Sequence, residues 1–190
     1  VILANRSAVP VVRMQLLVDA GYAADQDVKP GTANLAMAML DEGTKTRDAL
    51  EISTEMSEMG TSIGSGTSLD SSVVSLNTLK AKLEDSLDLY ADIILNPTFP
   101  ADQLERLKEQ QLAAIAQEKN SPFGAGLRLL PELLYGKGHA YSAPFSGSGT
   151  EQSISSMTAD DLRKHHATWF TSDNSTLIVT GDITMNELLP

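Results

Sequence analysis

The side chains of this sequence that could take part in catalysis or metal binding include three histidines and a serine in a glycine-rich loop. His165 and His166 are adjacent in a stretch with helical periodicity, so their side chains point about 100° apart and cannot chelate one ion. We expect a surface or capping role for both. Ser148, in "SGSGT", lacks the lysine of a phosphate-binding loop and the flanking residues of a nucleophile elbow. This pattern predicts a flexible loop.

The composition narrows the classes of function. The 190 residues are 42% hydrophobic and 21% charged, enough for one core of ordinary size. A net charge of −11 argues against nucleic-acid binding and against an anionic membrane surface. The absence of cysteine excludes disulfides and thiolate metal sites. No apolar run is long enough to span a membrane. Because the chain begins "VILANRSAVP" and stops at "MNELLP", we expect residues 1–190 to be a single domain of a longer protein.

The elements that must position any site follow from hydrophobic periodicity. In the first half of the chain the pattern predicts a strand at 10–19, a buried helix at 30–42 ended by Gly43, a helix at 44–60 with Leu50 inward, and two strands within 61–79. In the second half it predicts helices at 80–96 and 101–120, then a helix from 121 that Pro131 kinks or breaks. A loop over 137–156, a helix at 157–170 and a last strand near 174–182 complete the prediction. Because helices and strands group rather than alternate strictly, we predict an α+β fold, with a largely antiparallel sheet and helices packed on one face.

Four phrases in this order carry a family resemblance. They are "GTANLAMAMLDEGT", "LYADIILNPTFPADQLERLKEQQLAAIAQEKNSP", "GHAYSAPFSGS" and "LIVTGDI". Together with the order of elements, they resemble the pitrilysin/insulinase (M16-type) superfamily of zinc peptidases. That superfamily includes the mitochondrial processing peptidase and the core proteins of a respiratory complex. The resemblance covers nearly the whole chain and implies the metallohydrolase fold of the processing-peptidase type.

In active members, the first phrase resembles G-x-A-H-x-x-E-H-M. Two histidines four residues apart share one helix face and bind zinc, and the glutamate between them accepts a proton from the zinc-bound water. In this chain the first histidine falls on Asn34, the glutamate on Met37 and the second histidine on Ala38. A third ligand, a distal glutamate, falls on or near Ala116. The resemblance therefore implies a degenerate site, with no catalytic, cofactor-binding or metal-binding residue and no cofactor in this domain.

The resemblance also implies a role. We expect a non-catalytic domain of a zinc metalloendopeptidase, which forms part of the substrate chamber and supports a separate zinc-bearing half in the same chain or in a partner subunit. The chain is then not an enzyme by itself, zinc belongs to the partner half, and a peptide substrate is expected in the chamber. The alternative is a structural or assembly protein with a peptidase-like fold and no proteolytic partner. A periplasmic location and self-association of the isolated domain are further expectations.

Two segments each have two possible interpretations. His139 and Tyr141 lie in "GHAYSAP", which resembles a family loop with a histidine and a tyrosine, and we favour a structural role over substrate contact. The stretch "SIGSGTSLD" corresponds to a strand that binds peptide by strand addition in active relatives. We favour an edge strand softened by glycine and keep peptide binding as the alternative.

Overall fold

The computed structural model describes residues 1–188 and combines a five-stranded sheet with eight helices in that range. The elements in chain order are β1 (Ile2–Asn5), β2 (Val11–Val18), α1 (Thr32–Ala38), α2 (Ala49–Met59), β3 (Ser62–Thr67), β4 (Ser72–Leu79), α3 (Leu83–Leu95), α4 (Ala101–Asn120), α5 (Pro122–Tyr135), α6 (Glu151–Ser155), α7 (Ala159–Trp169), β5 (Ser175–Gly181) and α8 (Met185–Leu188). No helix within this range is long and apolar enough to cross a membrane.

The strand order in the sheet is β1-β5-β2-β4-β3. Only β1 and β5 pair in parallel, and the other neighbours are antiparallel. Alternation along β2 buries Val12, Met14 and Val18, and the first two of these residues join a core cluster with side chains from the helices. The exposed residues of β2 point to the opposite face. The fold is therefore α+β with a largely antiparallel sheet, as the sequence predicts.

Helix α2 illustrates how local sequence sets the ends of an element. Asp48 accepts a hydrogen bond from the Glu51 amide, and the Glu51 carboxylate accepts one from the Asp48 amide, which forms a capping box. Gly60 ends the helix in the left-handed conformation at φ 63°. Leu50 is 75% exposed, so its predicted inward position is wrong. Ile52 is the fully buried residue of this helix.

The structure corrects the predicted end of α1 and the predicted loop over 137–156, and it rules out a break at Pro131, where the sequence predicts a kink or a break. Helix α1 ends at Ala38, before Gly43, which instead forms an isolated bridge with Asp48. Helix α5 continues through Pro131 without a break. Ser121 caps its first turn, and Pro131 itself is buried, so packing compensates for the missing backbone donor. The predicted loop over 137–156 contains the short helix α6, which Thr150 begins with a capping box.

Candidate functional site

A buried carboxylate sets the start of α1. Oδ2 of Asp25 accepts a hydrogen bond from the Gly31 amide at 2.9 Å, and Oδ1 accepts one from the Ala33 amide at 3.1 Å. Burial raises the pKa of Asp25 to about 7, while the backbone donors favour its ionised form. Gly31 has φ 95°, and a Cβ there would lie 2.7 Å from Cδ1 of Ile154. These contacts fix the N-terminus of α1, immediately before Asn34.

The α1 face predicted to be a degenerate zinc site carries no ionisable side chain at the three family positions. Met37 is 1% exposed and belongs to the apolar core, while Asn34 and Ala38 are half-buried. Nδ2 of Asn34 donates to the Ser146 carbonyl oxygen at 3.4 Å. The Met37 carbonyl oxygen accepts a hydrogen bond from Oγ of Ser65 in β3 at 2.7 Å. These contacts tie α1 to the 146–149 loop and to the sheet edge, and they hold no reacting group.

Helix α4 brings no carboxylate to Met37 at the predicted position. Ala116 is exposed, whereas the preceding residue, Ile115, is fully buried in the same core cluster as Met37. Zinc in proteins takes imidazole, thiolate or carboxylate ligands. Asn34, Met37, Ala38 and Ala116 offer none of these groups, so the residues do not fit the metal. Across residues 1–188, no group of three or more His, Asp or Glu side chains has an arrangement that could hold an ion.

A polar network, which we call the Arg128 network, lies beside this face. The Arg128 guanidinium pairs with the Glu118 carboxylate, donates to Oγ of Ser148 at 2.6 Å and donates to the Gly149 carbonyl oxygen at 2.6 Å. Oγ of Ser148 donates to Glu118 at 3.0 Å, and Gln111 of α4 donates to the Ser148 carbonyl oxygen at 3.0 Å. The network holds the 146–149 loop against α4 and α5.

Ser148 is 2% exposed within this network, so the predicted flexible loop is wrong. Its two flanking glycines have positive φ values, and a Cβ at either position would collide with Tyr22 or with the Pro30 backbone. The glycine-rich composition of "SGSGT" therefore reflects close packing. A buried arginine partner for the loop was not visible from sequence, because Arg128 lies 20 residues before Ser148.

A family model described as insulinase (peptidase family M16) matches residues 1–136. The chain belongs to the insulinase (M16) peptidase family. A second model, described as the peptidase M16 inactive domain, matches residues 156–190. Together with the relatives described next, it supports a non-catalytic M16 domain.

Three similar proteins place the M16 domain in context. A Helicobacter pylori protein named "Non-peptidase homolog YmxG" is 28% identical over 160 residues, covering 84% of this chain and 36% of that protein. The crystal structure of a peptidase M16 inactive domain from Pseudomonas fluorescens matches with TM-score 0.93 and 31% identity, over 98% of this chain and 45% of that one. The Escherichia coli periplasmic protease PqqL matches with TM-score 0.82 and 18% identity, over 98% of this chain and 21% of that one, which shows the fold alone. The M16 domain thus spans less than half the length of each.

The loop residues His139 and Tyr141 of this M16 domain make structural contacts. The His139 ring stacks on Tyr135 at a centroid distance of 5.4 Å, and Nδ1 of His139 accepts a hydrogen bond from the Tyr141 amide. The Tyr141 hydroxyl donates to Oδ1 of Asp70 at 2.7 Å, and that bond raises the pKa of Tyr141. The pair therefore joins the end of α5 to the turn between β3 and β4, which fits the structural role that we favoured.

A surface or capping role is predicted for the two adjacent histidines. The surface position is wrong for His165, whereas His166 contacts a carbonyl oxygen in the last turn of α3, which is a capping contact. His165 is 5% exposed, and its Nε2 has no hydrogen-bond partner among residues 1–188. Burial lowers the pKa of His165 to about 4, with a smaller contribution from His166. Nε2 of His166 donates to the Ile94 carbonyl oxygen at 2.7 Å, and its ring stacks on Phe170. Helix α7 packs on α1, and the pattern of α7 alone did not identify which of its faces lies inward.

Strand β3 lies at one edge of the described sheet, as predicted, with β4 as its neighbour. Gly64 and Gly66 lie on its outward side, and a Cβ at Gly66 would meet nothing within 4 Å. An uncovered strand edge offers backbone donors and acceptors to an extended peptide. The inward Ser65 fixes β3 to α1, so this edge is held in a defined position beside the Met37 backbone.

Proposed function

We propose that this M16 domain is a non-catalytic wall of a peptidase chamber and supports a separate half that carries zinc. The observation that supports the proposal is that the α1 face has lost the family's ligands and is packed with apolar side chains. Met37 occupies the position of the family's glutamate base and is 1% exposed in the apolar core. Asn34 and Ala38 replace the two histidines without supplying a charged or imidazole ligand. Burying a carboxylate without its metal ion would cost folding free energy, so the apolar side chain of Met37 stabilises the domain in the absence of zinc.

The length of the relatives supports the rest of the proposal. This chain spans 36% of the Helicobacter pylori protein and 45% of the Pseudomonas fluorescens structure. We therefore infer that residues 1–190 are one domain of a longer protein, and that a zinc-bearing half lies in the same chain or in a partner subunit. The β3 edge would contact an extended peptide in the chamber. We also propose a periplasmic location, because the structural neighbour PqqL is named a periplasmic protease, and fractionation of cells producing the natural protein tests it.

A second function has an observation of its own. The Helicobacter pylori relative is named a non-peptidase homolog. A protein that keeps the M16 fold for assembly alone would have no zinc-bearing partner. The two functions differ in one feature that can be searched directly, an H-x-x-E-H motif elsewhere in the same full-length chain or in a neighbouring gene. Its presence favours the chamber, and its absence favours assembly.

Zinc content is the first test of the degenerate site. The purified chain is incubated with zinc, dialysed and analysed for metal by elemental analysis. We expect no retained zinc, because the donor set at Asn34, Met37 and Ala38 does not suit the ion. A content near one zinc per chain, lost when His139 is replaced, would show a metal site elsewhere and overturn the proposal.

Peptidase activity is the test of the supporting role. A zinc-bearing half with the H-x-x-E-H motif is assayed on an unstructured peptide, with and without this domain, and its zinc is measured in both preparations. We expect the half to keep its zinc but to lose most activity when the domain is removed. Full activity without the domain would contradict the chamber role and leave the assembly function.

A further inference from the structure

Helix α5 presents an unusual amount of apolar surface to solvent. Six large apolar side chains of this helix are between 40% and 80% exposed, namely Phe123, Leu129, Leu130, Leu133, Leu134 and Tyr135. No other described helix exposes more than one such side chain. A helix that is apolar on its outer side normally packs against another element.

The outward side chains recur at helix-packing intervals. Phe123, Gly126, Leu130 and Leu133 follow one another at spacings of three or four residues, which places them in one stripe along α5. A stripe of this period suits a second helix that inserts its side chains between successive turns. A Cβ at Gly126 would meet nothing within 4 Å. The glycine therefore lies on the open side and lets a second backbone approach closely.

The inner side of α5 is fixed, so the stripe has a defined orientation. A Cβ at Gly124 would lie 2.5 Å from the Glu118 carbonyl oxygen, which shows how closely α5 packs on α4. The Arg128 network holds the same side, and Pro131 is buried there. The helix cannot turn its apolar side inward without breaking these contacts.

We propose that the occupant of the α5 stripe is the α5 stripe of a second copy of this chain. At these exposures each side chain offers on the order of 100 Å² of apolar surface, several hundred in total. That area is at the upper end of the largest apolar patches on ordinary monomers, about 300 to 600 Å², and approaches the ~800 Å² per partner of a standard interface. A second α5 supplies a matching stripe, and no other helix in residues 1–188 exposes one.

Charge and symmetry both favour a two-fold contact. The charged residues of α5 are Arg128, which is paired with Glu118 on the inner side, and Glu132. The net charge of −11 is therefore carried elsewhere on the surface. The other exposed apolar cluster, Val9, Val11 and Leu79, lies at one end of the sheet. Docking α5 on that cluster would be heterologous and open-ended, whereas α5 on α5 closes as a dimer. The inference does not depend on the domain being non-catalytic.

The mass of the 190-residue chain in solution tests the dimer. We expect light scattering and sedimentation to give twice the 20.3 kDa chain mass at high concentration. Leu133→Glu places a charge in the stripe at a residue that is 80% exposed, so the fold should tolerate it and the dimer should be lost. Leu50→Glu, at a residue 75% exposed on α2, is the matched control and should remain dimeric.

A cross-link test identifies the surface directly. The chain has no cysteine, so Leu130→Cys introduces a single thiol near the middle of the stripe, where a two-fold contact brings each residue near its own copy. Mild oxidation should convert most Leu130→Cys chains to disulfide-linked pairs, and Leu50→Cys should cross-link far less. A single-chain mass for the wild type, a Leu133→Glu variant that stays dimeric, or equal cross-linking of the two cysteine variants would each overturn the proposal.

Discussion

At the scale of single residues, His165 makes the stability of the domain depend on pH. Its ring is buried and neutral, with a pKa of about 4, against about 6.5 in the unfolded chain. As pH falls below about 6.5, the unfolded state gains a proton that the folded state does not, so stability decreases until pH reaches about 4. The expected loss from this residue between pH 7 and pH 5 is roughly 2 kcal/mol.

Urea unfolding at pH 7 and pH 5 checks this effect by comparing the wild type with His165→Leu. The leucine variant should lose about 2 kcal/mol less over this interval. Asp25, whose pKa is raised to about 7, contributes with the opposite sign, since its stability contribution grows as pH falls from 7 towards 4. That contribution is common to both proteins and cancels. An identical pH dependence in the two proteins would refute the assignment to His165.

Met37 occupies the position of the family's glutamate base, and its apolar side chain should stabilise the domain. We expect Met37→Glu to restore the family's base in sequence but to destabilise the domain by about 3 kcal/mol or more, because an unpaired carboxylate would be buried in the core. Met37→Leu keeps the volume and should cost less than about 1.5 kcal/mol. Denaturant unfolding of both variants measures the difference. Equal stability of the two would mean that the side chain at position 37 can reach water.

At the scale of elements, the Arg128 network couples α4, α5 and the 146–149 loop. Arg128→Met keeps most of the side-chain volume but removes the ion-pair partner of the Glu118 carboxylate and the donor to the Gly149 carbonyl oxygen. We expect hydrogen exchange of the loop amides to speed up at least about tenfold, with a loss of about 2 to 4 kcal/mol in the free energy of unfolding.

The matched control for this element is Arg106→Met. Arg106 pairs with Glu42, but its side chain is 45% exposed, against 11% for Arg128. Exposed pairs contribute little, so the control should change stability by less than about 1 kcal/mol. If the loop exchanges at the wild-type rate in Arg128→Met, the glycines and the packing of the loop hold it without the arginine.

The elements that sequence predicted are those with local signals. Alternation marks β2 and β4, and 3.6-residue periodicity marks α3 and α4. Strand β1 has only four residues, and its partner β5 lies more than 170 residues later, so no local hydrophobic pattern predicts β1. The five-residue α6 is too short for periodicity to show.

The same division holds for the candidate site. The resemblance predicted which α1 positions have lost their ligands, and the structure adds how the vacated face is packed. The burial of Met37 in one core cluster with Ile115, and the Arg128 network, depend on tertiary contacts between helices. The burial of His165 is a further case, since it depends on how α7 packs against the rest of the fold and not on the local sequence of α7.

At the scale of the whole molecule, the net charge of −11 and the apolar α5 stripe act in opposite directions on self-association. Two copies of an acidic chain repel each other at a distance, and salt screens that repulsion over about 10 Å at 0.1 M ionic strength. Apolar contact along α5 is not screened. We therefore expect the dimer dissociation constant to fall severalfold as the ionic strength rises from about 50 mM to about 500 mM.

Sedimentation at several salt concentrations measures this dependence, with Leu133→Glu as the control that should stay monomeric throughout. The sign of the dependence separates two kinds of interface. An interface made of ion pairs would weaken as salt rises, because screening removes their attraction. An interface made by the α5 stripe should strengthen, because screening removes only the repulsion between the two chains. A dissociation constant that rises with salt would therefore place the contact on charged surface and contradict the α5 assignment.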